Sequence, residues 1–162
     1  MNQTLEQEVK DDNRVVAGWL LYYHERKADY ERRRETILHS SGASAFDGQP
    51  RGTDLGDTTG RKGDKLAELH ERTGDWLELV EDVERRLPWK MQIFLRLRRE
   101  YRYARGRNGW TAAVQHKYAD EIAARLKKKP EDTWIESRNT FTRWWDKIIE
   151  YTGRLAAKKG LL

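Results

Sequence analysis

Apolar and long side chains recur every three or four residues along two stretches of the chain, the spacing of helices that are buried along one face. The first stretch runs from about Glu6 to His39 without a proline. Its regular positions are Val16, Leu20, Tyr23, Lys27, Tyr30, Arg34 and Ile37. The second stretch continues at Leu66, Leu69, Thr73, Trp76, Val80, Val83 and Leu87. These seams predict an N-terminal helical hairpin or coiled coil, in which Lys27 and Arg34 either extend to solvent or pair with acidic residues.

A glycine-rich segment separates the two seams. Six of the 12 glycines lie between Gly42 and Gly63, and serine, threonine and aspartate fill much of the remainder. This turn chemistry predicts a loop over residues 40–64, which is either a flexible linker or an ordered functional segment.

Three further helices are predicted after Pro88, a residue that suits the first turn of a helix. The first covers Trp89 to Tyr103, with a basic outer surface that includes Lys90, Arg96, Arg98, Arg99 and Arg102. The second covers Thr111 to Lys128, with a buried stripe of Val114, Tyr118, Ile122 and Leu126. The third begins near Ile135 or Ser137, capped by Thr133 with Glu136 or by Ser137, and ends at Lys158. The prediction is an all-α chain with an acidic unit at residues 1–87 and a basic helix-turn-helix unit at residues 88–162.

Charge is divided by position along the chain. Residues 1–87 carry 14 Lys and Arg against 19 Asp and Glu, a net of −5, and residues 88–162 carry 18 against 8, a net of +10. The two values together give the net charge of +5. A basic module is typical of a polyanion binder, because cations that neutralise phosphates release condensed counterions.

Two sets of side chains in the basic half have the chemistry of DNA recognition. The last helix offers arginine, which can bond guanine bidentately, and asparagine, which can bond adenine in the same way. The predicted base contacts are Ser137, Arg138, Asn139, Thr142 and Arg143. The predicted phosphate contacts, which fix register without reading sequence, are Arg105, Arg107, Lys127, Lys128, Lys129 and Lys147. Trp144 and Trp145 share helical spacing with Phe141, so core packing is expected for this pair rather than stacking on bases.

Part of the chain resembles a known family. The segment from Gln49 to Lys62, QPRGTDLGDTTGRK, is similar to the G-x-P-x-G-T-x-x-x-D-P-T loop of phage-encoded late-gene transcriptional regulators, the ArpU/RinA-like group. Residues 121–126 resemble the first helix of the sigma-factor region-four-like helix-turn-helix in that group, and residues 137–143 resemble the start of its recognition helix. Thr58 stands where the family usually has proline, and the turn from Leu126 to Ser137 is longer than in a compact motif. The resemblance implies a phage or prophage regulator that binds promoter DNA, with the acidic half dimerising or contacting a partner such as host RNA polymerase.

Other classes of function find less support in the sequence. There is no cysteine, so a disulfide or a cysteine-based zinc site is excluded. The four histidines form no H-E-x-x-H pattern, and Asp54, Asp57 and Asp64 are of the kind that caps turns. The chain is therefore expected not to be an enzyme and to need no metal or cofactor. Without a signal sequence or a long apolar run, it is expected in the cytoplasm of a bacterial host and not in a membrane.

Two alternatives to the regulator stay open. A small terminase-like subunit of a DNA-packaging machine also combines helix-turn-helix and coiled-coil parts, and would form a ring of many copies. An adaptor whose basic face binds an acidic protein would not bind nucleic acid at all.

Overall fold

The computed structural model describes residues 2–40, 58–105 and 109–162, and within these ranges the chain is helical with no strand. The α-helices are α1 (Asn2–Leu21), α2 (Tyr23–His39), α3 (Thr58–Leu69), α4 (Asp75–Arg86), α5 (Trp89–Glu100), α6 (Gly109–Leu126) and α7 (Asn139–Lys158). A π-helical turn, His70–Gly74, joins α3 to α4, and a 3₁₀ helix, Pro130–Thr133, lies between α6 and α7. The all-α prediction is confirmed. None of the helices in these ranges has the length and apolar character that a membrane span requires.

The first predicted helix is divided in two at Tyr22, where α1 ends and α2 begins. Val16, Leu20 and Tyr23 of its seam are buried, whereas Arg34 is exposed. Lys27 donates to a carboxylate oxygen of Glu81 at 2.9 Å, and the Tyr23 hydroxyl donates to the same oxygen. Lys27, one of the two charged residues in the first seam, therefore pairs with an acidic residue.

The helix that contains the start of the second seam begins earlier than expected. Helix α3 starts at Thr58, so residues 58–64 are helical and the predicted loop over residues 40–64 is wrong in this part. Residues 41–57, which carry most of the loop and of the family-like segment, lie outside the described residues. Helix α3 packs on α2, and α4 packs on α1 and α2, with Trp19 and Trp76 stacked at 5.2 Å between ring centroids.

Residues on both sides of the predicted boundary at residue 88 contribute to one apolar core. Helix α7 packs against α1 and α4 as well as against α6, and α5 contacts α1, α4 and α6. Ile148 and Ala156 of α7 are buried in the same apolar cluster as Val16 and Val80. The division into units at 1–87 and 88–162 stays a prediction.

Two details of the basic half differ from the sequence-based expectations. Arg98 and Arg99 are buried rather than part of an outer surface, because both turn inward onto aromatic rings. Leu126 is 40% exposed although it continues the stripe of Val114, Tyr118 and Ile122, since α6 ends at this residue.

Candidate nucleic-acid interface

The buried face of α7 is fixed by a cluster of aromatic rings. Phe141 is fully buried and lies 6.0 Å from Phe94 and 5.6 Å from Tyr118, measured between ring centroids. Trp144 meets Phe94, Tyr118 and Phe141 edge to face. Such edge-to-face pairs add stabilisation beyond the area that they bury. Trp144 and Trp145 therefore belong to the packed side of the helix, as the sequence indicated.

The opposite face of α7 presents three predicted DNA contacts in one row. Asn139, Arg143 and Lys147 are four residues apart, and each is exposed. Residues at this spacing are neighbours on one side of a helix, about 6 Å apart along the axis. Thr142, another predicted base contact, is exposed beside this row.

Ser137 and Arg138 precede the helix rather than lie on it. Helix α7 begins at Asn139, with Arg138 in the cap position and no side chain capping the first turn. Ser137 is exposed and Arg138 is half-buried. Neither predicted cap is formed, because α7 begins at Asn139, beyond Thr133 and Ser137. The Thr133 hydroxyl donates to the carbonyl oxygens of Ala119 and Pro130.

The long turn before α7 is held against α6. The buried amide of Gln115 donates to the carbonyl oxygens of Ile135 at 2.6 Å and Glu136 at 3.1 Å. The rings of His116 and Trp134 meet at 4.9 Å between centroids. These contacts place the first residues of α7, although the turn is too long for a compact helix-turn-helix.

Lys127, the first residue after α6, has a left-handed backbone conformation with a φ of 53°. The N–H of Lys128 donates to the carbonyl oxygen of Ala123 at 2.9 Å, which is the bonding pattern of a Schellman cap. Glycine is the usual residue at this position because a Cβ is strained there. The corresponding cap of α7 has glycine, Gly160, with a φ of 71°. Lys127, Lys128 and Lys129 are all exposed.

Carboxylates neutralise part of the basic half and leave another part unpaired. In α5, Arg96 pairs with Glu100 and Glu121 and Arg99 pairs with Glu84, and Arg102, two residues after α5, pairs with Glu25. Two of these acidic partners come from the acidic half, so the opposite charges of the two halves meet at α5. Among the described residues, no carboxylate lies within 4.0 Å of Lys117, Arg125, Lys127, Lys128, Lys129, Arg138, Arg143 or Lys147. Exposed cations of the basic half without a carboxylate partner in the described part of the chain thus occur on α6, in the turn and on the first half of α7, and also at Lys90, Arg105, Lys158 and Lys159.

Arg98 is enclosed by aromatic rings. Its guanidinium carbon lies 4.2 Å from the ring centroid of Trp110 and 5.0 Å from that of Trp145. Nε and Nη1 have no hydrogen-bond partner, and burial lowers the pKa of Arg98 to about 10. Cation–π contacts therefore replace hydrogen bonds at this residue, which has no surface available for DNA.

Of the remaining predicted phosphate contacts, Arg105 is exposed and follows the end of α5, whereas Arg107 lies outside the described residues. The role of Gln115 was not predicted, since a glutamine within an apolar stripe gives no sign of the carbonyl groups that it meets 20 residues later. The inward turn of Arg98 and Arg99 was not predicted either, because the tryptophans nearby in sequence indicate it only weakly.

Comparison of the chain with protein-family models, with characterised proteins and with solved structures finds no match in any of the three. Function must therefore be inferred from the residues of the site rather than from relatives.

Proposed function

We propose that the protein is a sequence-specific DNA-binding transcriptional regulator of phage or prophage origin, with α7 lying in the major groove. The observation that carries this proposal is the exposed row of Asn139, Arg143 and Lys147 on a helix whose opposite face is locked into the core. Asparagine and arginine are side chains that read adenine and guanine edges, and lysine contacts phosphate. The phage origin rests on the family resemblance of residues 49–62.

The position of Arg143 and Lys147 in one exposed row with Asn139 supports contact through the first half of α7. Arg143 and Lys147 have no carboxylate within 4.0 Å in the described part of the chain. Further along the helix, Glu150 is already paired with Arg154. The three lysines at the end of α6 lie at the other end of the same turn, where they can reach the phosphate backbone beside the groove.

We also propose that the N-terminal part of α1 is the surface through which the protein dimerises or contacts host RNA polymerase. Residues 4–15 are exposed along their whole length, and Leu5 and Val9 are 64% and 57% exposed. A helix of this length is marginal in water without a partner. A second copy of the chain or another protein would cover these apolar positions.

The proposal is tested by measuring DNA affinity across a range of salt concentrations, with a duplex enriched from a random pool and with a scrambled duplex. Each neutralised phosphate contributes about −0.9 to the slope of log affinity against log salt concentration. Arg143→Ala should cost about 1–3 kcal/mol on the enriched duplex and little on the scrambled one, because it removes a base contact. Lys147→Ala should weaken both duplexes alike and reduce the magnitude of the slope by about 0.9.

Lys158→Ala is the matched control. It removes an exposed lysine from the opposite end of α7, so DNA affinity should stay unchanged. A slope near zero for the unmodified protein would contradict DNA binding. Equal losses from Arg143→Ala and Lys158→Ala would contradict the placement of the interface.

A further inference from the structure

The structure assigns a binding site for a divalent metal ion such as Zn²⁺ to His70, Asp75 and Glu78. The ligand atoms of the three side chains lie within 4.8 Å of one another. His70 Nε2 lies 3.5 Å from Asp75 Oδ1 and 3.7 Å from Glu78 Oε1. Ligand atoms at about 2.0–2.1 Å from a tetrahedral zinc ion are about 3.4 Å apart, so small rotations of these side chains would complete three of the four positions.

The π-helical turn is what brings the three residues together. In an unbroken α-helix, a residue five positions along lies about 140° around the axis, on a different face. The turn His70–Gly74 takes up one additional residue, so Asp75 and Glu78 stand approximately where the fourth and seventh positions after His70 would be. All three side chains then lie on one face of the helical segment formed by α3, the π-helical turn and α4.

Contacts outside these three ligands orient the imidazole for metal binding. The Tyr30 hydroxyl of α2 lies 3.3 Å from His70 Nδ1. When Nε2 holds a metal ion, Nδ1 carries the proton and donates it to the Tyr30 oxygen, the arrangement that metal-binding histidines commonly show. A cavity of about 120 Å³ beside the ring is lined by Tyr30, His70, Gly74 and Glu78 among others.

Gly74 leaves the space in which the His70 ring lies. A Cβ added at Gly74 would overlap His70 Nδ1, so an alanine at this position would displace the ring from its present place. A Cβ added at Gly63, in α3, would meet no atom within 4 Å. This pair of glycines provides a test in which no ligand is removed.

The experiment is titration of the full chain with Zn²⁺ by calorimetry, and with Co²⁺ by the visible absorption of a tetrahedral complex. One ion per chain is expected. His70→Ala should abolish binding, and Gly74→Ala should weaken it by about 10 to 100-fold, the usual effect of disturbing the support of a metal ligand. Gly63→Ala and His24→Ala, which replaces an exposed histidine of α2, should bind as the unmodified protein does.

The inference is overturned if no ion binds below millimolar concentration, or if His24→Ala loses the ion while His70→Ala keeps it. Asp75→Asn is a further variant in case His70→Ala loses helicity, and unchanged affinity in folded Asp75→Asn would also overturn the site. DNA affinity measured with a chelator present tests the proposed regulator separately, because none of the metal ligands belongs to the DNA-facing row.

Discussion

Arg99 connects the two oppositely charged halves of the chain from a buried position, and its removal should be costly. Nε donates to the carbonyl oxygen of Leu20 at 2.8 Å, beside the break between α1 and α2, and Nη1 donates to Glu84 at 2.8 Å. The Arg99 side chain is 4% exposed and that of Glu84 is 34% exposed. Methionine at position 99 would preserve much of the packing but leave both acceptors without their donor.

The magnitude follows from the burial of the two groups. Removing one partner of a buried ion pair costs about 3–5 kcal/mol, and the partial exposure of Glu84 places the electrostatic part near the lower limit. The unsatisfied Leu20 carbonyl adds about 1–3 kcal/mol, although the two losses are not additive. We expect Arg99→Met to lower the free energy of unfolding by about 3–5 kcal/mol, which corresponds to about 10 °C in melting temperature for a chain of this size.

Urea denaturation followed by circular dichroism measures this loss, and Arg96→Met is the matched control. Arg96 lies on the same helix, but its side chain is 51% exposed and its pair with Glu121 is at the surface, so it should contribute less than about 1 kcal/mol. If the two variants lost the same small amount of stability, the reasoning that burial makes Arg99 structural would be refuted. Arg99→Met should also leave the salt dependence of DNA binding unchanged.

Three other expectations follow from the turn and the core of the basic half. Lys127→Gly should stabilise the protein by about 1 kcal/mol, because glycine relieves the left-handed cap, whereas Lys128→Gly should not, and both should weaken DNA binding alike. Gln115→Met should cost about 1–3 kcal/mol in urea denaturation and lower DNA affinity without changing charge, since two carbonyl groups of the turn lose their donor. Burial raises the pKa of Tyr118 from 10.0 to about 12, so its contribution to stability is complete below pH 10 and is lost as the pH rises through 12. The stability difference between the protein and Tyr118→Phe should therefore shrink by about 2 kcal/mol between pH 9 and pH 12, and a constant difference would contradict the burial.

Features that depend on local spacing were predicted well from the sequence. Val16, Leu20, Val80 and Val83 are buried as their seams require, because the period of apolar residues is a property of each helix by itself. The same reasoning identified Phe141 as the inward anchor of α7, which leaves Asn139 and its neighbours on the outer face.

Features that depend on distant partners were not predicted. Arg99 is buried with its Nε donating to the carbonyl oxygen of Leu20, which lies 79 residues earlier beside the break at Tyr22, and no pattern around Arg99 indicates this partner. The additional residue in the turn His70–Gly74 gives no periodic signal, so the sequence did not indicate that His70 lies beside Asp75 and Glu78. Helix α3 begins at Thr58 within a glycine-rich segment, where low intrinsic propensity is outweighed by packing on α2.

The hydrogen bond from Arg99 to the carbonyl group of Leu20 also affects whether the basic half could be separated from the rest of the chain. A DNA-binding module that is exchanged between genes must keep its fold when its neighbour is removed. Here α7 rests on α1 and α4, and the guanidinium of Arg99 satisfies a carbonyl group of the first helix. A chain cut before Pro88 would separate α7 from these supports and leave Ile148 and Ala156 without their cover. If the protein binds DNA as proposed, variation that alters its DNA preference is therefore expected to occur by substitution on the outer row of α7 rather than by exchange of the basic half.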